Sequence, residues 1–485
     1  MIRILISAWI VTGCFLALII LIMTEKVNRA ILAISGALIT YFVLTFIEQR
    51  DFSLIVDLLF GTQDEDYVNL HSLLLIVGIM FIVHISDEIG TFQFLAVIAI
   101  KMSKGRPISL MIILCIVSAV FSSILNNILT VMILIPLTIT ISRVLNVSPT
   151  PYILTQAIMV NIGGTFFPIS SIPNILITQE VGISFLDYFL EIGIFSIVTF
   201  AFTILLFVFF YKNELSIPKD KAINILLYDF DIWNVVQSRR LLLASLAALI
   251  VLMISFFMIP GNLLPPDAIA LSIAMALTIF SRLDAREIIR KFDFELIFYL
   301  LGVFVIVGGL EVVEVLTFIE SLLQNFGAGD EFLQLILIMW IAAFSSALID
   351  NVPITKAFIP IVMGISGSNP SLTKRYFFGL AIGANWGDNL TPLGDNILVL
   401  NIARENNRPI SILTFWKLGL VATLYQLLIA TLYFTLLYHF IPGLAFIIII
   451  GLLIALIFML QKVGPFKIQT AISKTIFQFK HFILT

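Results

Sequence analysis

Stretches of about 20 residues with almost no charge recur along the chain, at 4–23, 28–47, 186–211, 241–259, 412–437 and 442–461. A helix rising 1.5 Å per residue needs about 20 apolar residues to cross roughly 30 Å of hydrocarbon, so each stretch predicts a membrane-spanning helix. Between the unbroken spans lie two pairs of apolar arms, 107–126 with 127–145 and 331–349 with 352–366, which meet at the polar junctions Asn126-Asn127 and Asp350-Asn351. Both flanks of 107–145 are basic (Lys101 to Arg106 and Arg143), which favours a re-entrant hairpin over two full crossings joined by a tight turn. With both hairpins counted as non-crossing, about eleven crossings remain.

Composition agrees with this reading. The chain is 60% hydrophobic and 12% charged, against roughly 25% charged in a soluble domain. The net charge of −3 points to no partner class, and no basic run suggests nucleic acid. The first apolar segment has no clear small-residue cleavage site and is followed at once by another span, so it reads as a retained helix. Cys14 and Cys115 both lie in apolar segments, and His71, His84, His439 and His481 do not cluster. No disulfide framework, metal centre or cofactor is expected, and no nucleophile–base pair marks an enzyme. His84 reads as a packed or hydrogen-bonded residue.

Adding 224 to a number in the first half reaches its counterpart in the second: Gly78 to Gly302, Ser122 to Ser346, Asn127 to Asn351, Pro136 to Pro360, Asn161 to Asn385, Gly163 to Gly387 and Pro168 to Pro392. General apolarity cannot produce matches at Gly, Pro, Asn and Ser, so the chain is duplicated. Equivalent loops carry opposite cation bias. The loop at 48–69 is acidic, whereas its counterpart near 281–293 carries Arg282, Arg286, Arg290 and Lys291. By the positive-inside rule the two halves are inverted. This predicts an all-α polytopic membrane protein of two inverted-topology repeats, with two re-entrant hairpins and two broken helices. The first repeat is 1–211 (hairpin 107–145, broken helix 150–180) and the second is 241–440 (hairpin 331–366, broken helix 375–405). A cytoplasmic linker at 212–240 separates them, and 441–485 adds a span and an amphipathic cytoplasmic tail. The amino terminus falls outside and the carboxyl terminus inside, in the cell membrane.

Four motifs carry the chemistry. The hairpin junctions hold Ser123, Asn126, Asn127 and Thr130 in one half, and Ser346, Asp350, Asn351 and Thr355 in the other. The broken helices hold Asn161, Gly163, Gly164, Thr165 and Asn174, and Asn385, Gly387, Asp388, Asn389, Thr391, Asp395 and Asn396, with Pro168 and Pro392 as breakers. Irregular backbone at membrane depth persists only inside protein or beside a wet cavity, and broken helices at matching positions of inverted halves point to a midplane transport site. Carboxylates there are costly and functional by default, so Asp350, Asp388 and Asp395 are candidates for proton–cation exchange. The plainer alternative is a buried ion pair, with Lys356 the expected partner of Asp350. Glu311, Glu314, Asp87 and Glu88 are secondary candidates that read more simply as span ends.

At these motifs the chain resembles the ion transporter superfamily, in the branch of arsenite permeases, NhaD-type sodium–proton antiporters and the melanosomal P protein, with a citrate transporter-like domain. Ser123, Asn126, Asn127, Thr130, Asn161 to Thr165 and Pro173-Asn174 match its pattern, except that Asn126 stands where an Asp is usual. The resemblance implies a scaffold domain, a transport domain with two opposed hairpins, a homodimer and an elevator-like movement. The leading expectation is a sodium (or other monovalent cation)–proton antiporter, with sodium and protons as transported ions. The alternative is an anion permease for arsenite or a carboxylate such as citrate. The expected partners are membrane lipid and the small transported ion or anion.

Overall fold

The computed structural model describes residues 2–24, 26–64, 66–215, 232–290, 292–327, 329–367, 369–393, 395–463 and 466–484, and the side chains at 2–4, 234, 285, 287, 395, 453–458, 460, 462, 463, 466–471 and 484 lie outside the described set. All regular structure among the described residues is helical. In the first half α1 (Ile2–Thr24), α2 (Arg29–Ile47), α3 (Phe52–Phe60), α4 (Val68–Ile89) and α5 (Thr91–Met102) precede the hairpin of α6 (Pro107–Ser122) and α7 (Asn127–Leu145). The broken helix α8 (Thr150–Gly163) and α9 (Ile172–Val181) follows, and then α10 (Phe185–Tyr211). The second half repeats the order with α11 (Arg239–Met258), α12 (Pro266–Ser281), α13 (Ala285–Arg290), α14 (Phe294–Val312) and α15 (Val315–Phe326). Its hairpin is α16 (Glu331–Leu348) with α17 (Asn351–Ser366), and its broken helix is α18 (Pro370–Gly387) with α19 (Asp395–Glu405). The chain ends in α20 (Ile412–Tyr438), α21 (Phe440–Val463) and α22 (Phe466–Leu484).

Nine helices among the described residues are long and apolar enough to span a membrane, and shorter apolar helices accompany them. With each broken helix taken as one crossing and the hairpins set aside, the described chain contains the eleven expected crossings. Large apolar side chains such as Trp9, Leu205, Leu243 and Ile279 face outward, the surface that lipid requires. Most of the linker expected at 212–240 falls outside the described residues.

Local sequence explains where the elements stop. Asn126 caps α7 by accepting from Leu129 N at 2.8 Å, and Asp350 caps α17 by accepting from Val352 N at 3.0 Å. Each satisfies an orphan donor of the first turn. Pro136 and Pro360 sit inside the second arms of their hairpins, where each removes one backbone N–H from the helical ladder.

Contacts between elements repeat with the sequence. The Ser122 hydroxyl donates to Val160 O at 2.6 Å, and Ser346 donates to Ala384 O at 2.6 Å. Asn174 donates to Gly164 O and Asn396 to Asp388 O, both at 2.7 Å. The helix α2 packs on α14 as α12 packs on α4. Each of these pairs begins with an ion contact, Arg29–Glu295 at 3.4 Å and His71–Asp267 at 3.0 Å. His71 and Glu295 are counterparts at the 224 offset, so equivalent positions of the two halves carry the contact.

The inversion follows from connectivity. Only four residues join α7 to α8, so α8 starts at the end of the bundle where the first hairpin is rooted, here called the lower end. Its continuation α9 therefore finishes at the upper end. Lys374, early in α18, contacts Glu191 at 2.8 Å and Asp187 at 3.8 Å, both just beyond α9. The second broken helix thus starts at the upper end, opposite to the first. The packing of α19 along α7 and of α9 along α17 requires the same arrangement. At the lower end α22 packs against α20, with Lys417 over the Phe482 ring at 4.6 Å and Lys480 over the Phe209 ring at 4.0 Å.

Candidate functional site

Both hairpin tips reach one place. A cavity of about 30 Å³, enough for a single water, is lined by Asn126, Asn127 and Ile128, by Ser171, Ile172 and Pro173, and by Asp350, Asn351 and Val352, with Arg29 and Leu296 closing it. These triplets are the first turns of α7, α9 and α17, so three helix N-termini converge there. Next to it, sharing Arg29, Ile128 and Asp350, lies a cavity of about 310 Å³ that also touches Asn28, Glu295, Leu393 and Leu398. That volume is at the small end of ligand sites, roughly 300–1,000 Å³. Orphan N–H groups and the helix dipole make each N-terminus locally positive, and the Ser171 side chain does not cap α9.

Behind the tips the two repeats are tied together by asparagines. Asn127 accepts from Ser122 Oγ at 2.8 Å and donates to Asn161 Oδ1 at 2.7 Å. Asn161 then donates across the repeat boundary to Asn389 Oδ1 at 2.8 Å, and Asn389 donates to Ile158 O at 3.2 Å. In the opposite sense Asn385 donates to Asn174 Oδ1 at 2.9 Å. Asn161, Asn174, Asn385 and Asn389 are all buried, as is Asp388 at 4% exposure. Asn385 and Asp388 stand three residues apart at the end of α18 and share a helix face. Asn385 Oδ1 is a buried acceptor with no hydrogen-bond partner among the described residues.

Several sequence-nominated residues are occupied in holding helices. The Ser123 hydroxyl bonds Val120 O at 2.8 Å, Thr130 bonds Asn126 O at 3.0 Å, and Thr355 bonds Asn351 O at 2.7 Å. Thr391 bonds Ala347 O, and Thr165 joins Ile162 O, Ser196 and the Trp386 indole N–H. Gly163 and Gly387 are close-approach points: a Cβ built on them would lie 2.6 Å from Ala119 Cα and 2.5 Å from Ala343 Cα. Gly164, Pro168 and Pro392 are buried in the breaks. The side chain of Asp395, one of the three nominated carboxylates, lies outside the described residues.

One pairing is corrected. Asp350 does not meet Lys356; its carboxylate lies 3.7 Å from the Arg29 guanidinium. Asp350 is the cap of α17 and Lys356 stands six residues on. At 3.6 residues per turn six positions leave the two side chains on different faces. Lys356 instead contacts Asn69 Oδ1 at 2.9 Å and Glu180 at 3.8 Å. Of the secondary acidic candidates, Glu311 lines the same cavity as Lys356, and Asp87 accepts from the Gln93 side chain at 2.8 Å near the end of α4.

The profile of the family described as "Citrate transporter" matches residues 19–370 and 258–481. The chain belongs to the citrate transporter family. An uncharacterized transporter of Mycobacterium bovis is 28% identical over 430 residues, covering 87% of this chain and 97% of its own. The P protein of Sus scrofa is 24% identical over 495 residues, covering 85% of this chain and 57% of its own length. Among solved structures, the YdaH transporter of Alcanivorax borkumensis superposes with a TM-score of 0.50 at 13% identity, over 90% of this chain and 98% of that one. At such identity the likeness concerns the fold alone. Family membership makes the protein an integral membrane transporter.

In this citrate transporter family member the residues that sequence reasoning missed are Arg29, Glu295 and Ser171. Arg29, three residues after Lys26, stands at the start of a span, which reads as an orientation signal. Only the packing of α2 on α14, which brings the Arg29 guanidinium to 3.7 Å from Asp350, carries it into the site.

Proposed function

We propose that the protein is an ion-coupled secondary transporter for a small carboxylate-bearing anion of the citrate class, bound between the hairpin tips. Arg29 carries this reading: three helix N-termini converge on it, and it also lines the adjoining cavity of about 310 Å³, the one large enough for such an anion. A guanidinium has five N–H donors and can serve more than one carboxylate at once, and the 3.7 Å contact to Asp350 is loose enough for an arriving carboxylate to displace. The neutral asparagine relay behind the tips contributes no repulsion toward an anion. The family's description supports the same cargo. Proteoliposomes preloaded with a pH dye and given radiolabelled citrate should accumulate citrate when a sodium or proton gradient is imposed. Sodium-driven proton movement with no citrate uptake would sink the reading.

Sodium–proton antiport is the second reading. The buried carboxylate of Asp388 and the unpartnered acceptor Asn385 Oδ1 favour it, because both suit a desolvated monovalent cation. The two are compatible when this pair holds a coupling cation and the tips hold the anion. Arg29→Gln separates them: the KM for citrate should rise about 10- to 100-fold, the loss of a charged hydrogen bond of about 1.5–3 kcal/mol. Sodium-dependent proton movement should persist. We further propose that the lower end is cytoplasmic, because Lys101, Lys104, Arg106, Arg143, Lys212, Arg239 and Arg240 collect there, and that the protein works in the cell membrane as a homodimer.

A further inference from the structure

The contacts Arg29–Glu295 and His71–Asp267 mark opposite ends of the bundle. Ile89, which ends α4, accepts from Gln237 N at 3.1 Å beside Arg239 of the lower end, so α4 starts at the upper end with His71. There Asn69 donates to Leu58 O at 2.9 Å and Gly308 packs on the Leu58 side chain, so α14 finishes at the upper end and starts, with Glu295, at the lower. A cavity adjoins each contact. The lower one, of about 310 Å³, is walled by Met23, Val27 and Asn28 of the α1–α2 junction and by Glu295 and Leu393. The upper one, of about 630 Å³, is walled by Ile259, Asn262 and Pro266 of the α11–α12 junction and by His71 and Ile169. Glu295 and His71 are counterparts at the 224 offset, as are Leu393 and Ile169.

One element distinguishes the two cavities. The tip of the second hairpin, Leu348 to Asp350, enters the lower one. Among the described residues, no part of the first hairpin lines the upper one. The tips are otherwise built alike. Asp350 Oδ1 caps α17 through Val352 N, while Oδ2 faces Arg29 at 3.7 Å. Asn126, its counterpart, caps α7 with Oδ1 through Leu129 N, and its Nδ2 makes no hydrogen bond to a described residue. The seats differ to match. Arg29 presents a guanidinium, which suits a carboxylate. His71 presents an imidazole whose Nδ1 lies 3.0 Å from Asp267, and an amide can donate to its other nitrogen or accept from it. Asn126 now shares a cavity of about 30 Å³ with Ile76, Ile79 and Met80 of α4, which stand about 7–14 Å along that helix from His71.

In transporters built of inverted repeats the halves rock about a shared site, so a contact that one half makes at one end is made by the other half at the opposite end in the opposite state. We infer that, in the state facing the upper end, the tip of the first hairpin seats in the upper cavity and Asn126 bonds His71, while Asp350 leaves Arg29. The present structure is then the state in which the second hairpin is seated. The difference between Asn126 and Asp350 follows from two unlike seats, so the two tips are not interchangeable. This exchange of seats is independent of the cargo.

Cross-linking of full-length protein in lipid vesicles tests the exchange without any substrate. In a C14S/C115A background, a short bis-maleimide is applied to one of two cysteine pairs. Leu348→Cys with Met23→Cys reports the lower seat, since both residues line the lower cavity. Ile124→Cys with Ile259→Cys reports the upper seat, Ile124 being the counterpart of Leu348 at the 224 offset. The lower pair should cross-link readily, and the upper pair more slowly, as the opposite state is visited. Within the upper pair, N126D and H71R each break the match between tip and seat, whereas N126D/H71R rebuilds there the carboxylate–guanidinium contact of Asp350 with Arg29. The double variant should cross-link at least about 10-fold faster than the product of the two single effects predicts. Aspartate caps a helix as well as asparagine does, and cross-linking of the lower pair in each variant shows that it has folded. Additive single effects would overturn the inference. So would an upper pair that never cross-links in protein whose lower pair does, a result that decides the matter even where a charge variant fails to fold.

Discussion

Gly387→Ala should abolish uptake and lower the melting temperature of the purified transporter, because α18 can no longer seat on α16. The added Cβ would lie 2.5 Å from Ala343 Cα, and the neighbouring atoms are backbone rather than the end of a flexible side chain. Overpacking usually costs about 1–3 kcal/mol, and with no side chain able to yield the upper part of that range applies. The strain falls one residue before Asp388 and two before Asn389, so it reaches the site as well as the fold. Gly163→Ala, where the Cβ would lie 2.6 Å from Ala119 Cα, should behave alike, whereas Gly261→Ala, with nothing within 4 Å, should be silent. A Gly387→Ala protein with wild-type melting and uptake would show that α16 and α18 separate freely at this point.

The second large effect belongs to Asn161. Its side chain accepts from Asn127 at 2.7 Å and donates to Asn389 at 2.8 Å, so one amide joins the first hairpin tip to the second repeat. Asn161→Leu would leave a buried donor and a buried acceptor without partners, at about 1–3 kcal/mol each. Stability should fall by about 2–6 kcal/mol and transport by at least about 100-fold, since the tips lose their common reference. Asn161→Asp keeps an acceptor for Asn127 but loses the donor to Asn389, and should retain more stability than the leucine variant. A double-mutant cycle of Asn161 with Asn389, followed by chemical denaturation in detergent, measures the link. Additive losses would mean that the relay does not act as a unit.

Much of the architecture was legible because membranes impose strong, local rules. The apolar runs needed only counting, and Gly163, Gly387, Asn161 and Asn385 marked the duplication because such residues are uncommon in lipid-spanning helices. The site was legible in outline. Asn126, Asn127, Asp350 and Asn351 do meet at one cavity. The individual roles were less so. Thr130 and Thr355 carry the right chemistry, but each bonds into its own helix, a choice made by rotamer and neighbour rather than by residue type. Lys356 is the instructive case: nearness in sequence suggested Asp350, while helix phase and the packing of α9 on α17 delivered Glu180.

The sequence by itself determined that this is a helical membrane protein of two inverted halves with broken helices at matching depth. Span length, cation bias and the spacing of breakers act within one segment and need no partner. Only the tertiary structure decided which charges meet. The pairing of Arg29 with Asp350, the joining of both repeats through Asn161 and the contact of Glu180 with Lys356 all link residues far apart along the chain. In a low-dielectric interior a charge or amide must be satisfied by whatever the packed helices bring within hydrogen-bond reach, and that is set by how whole helices cross.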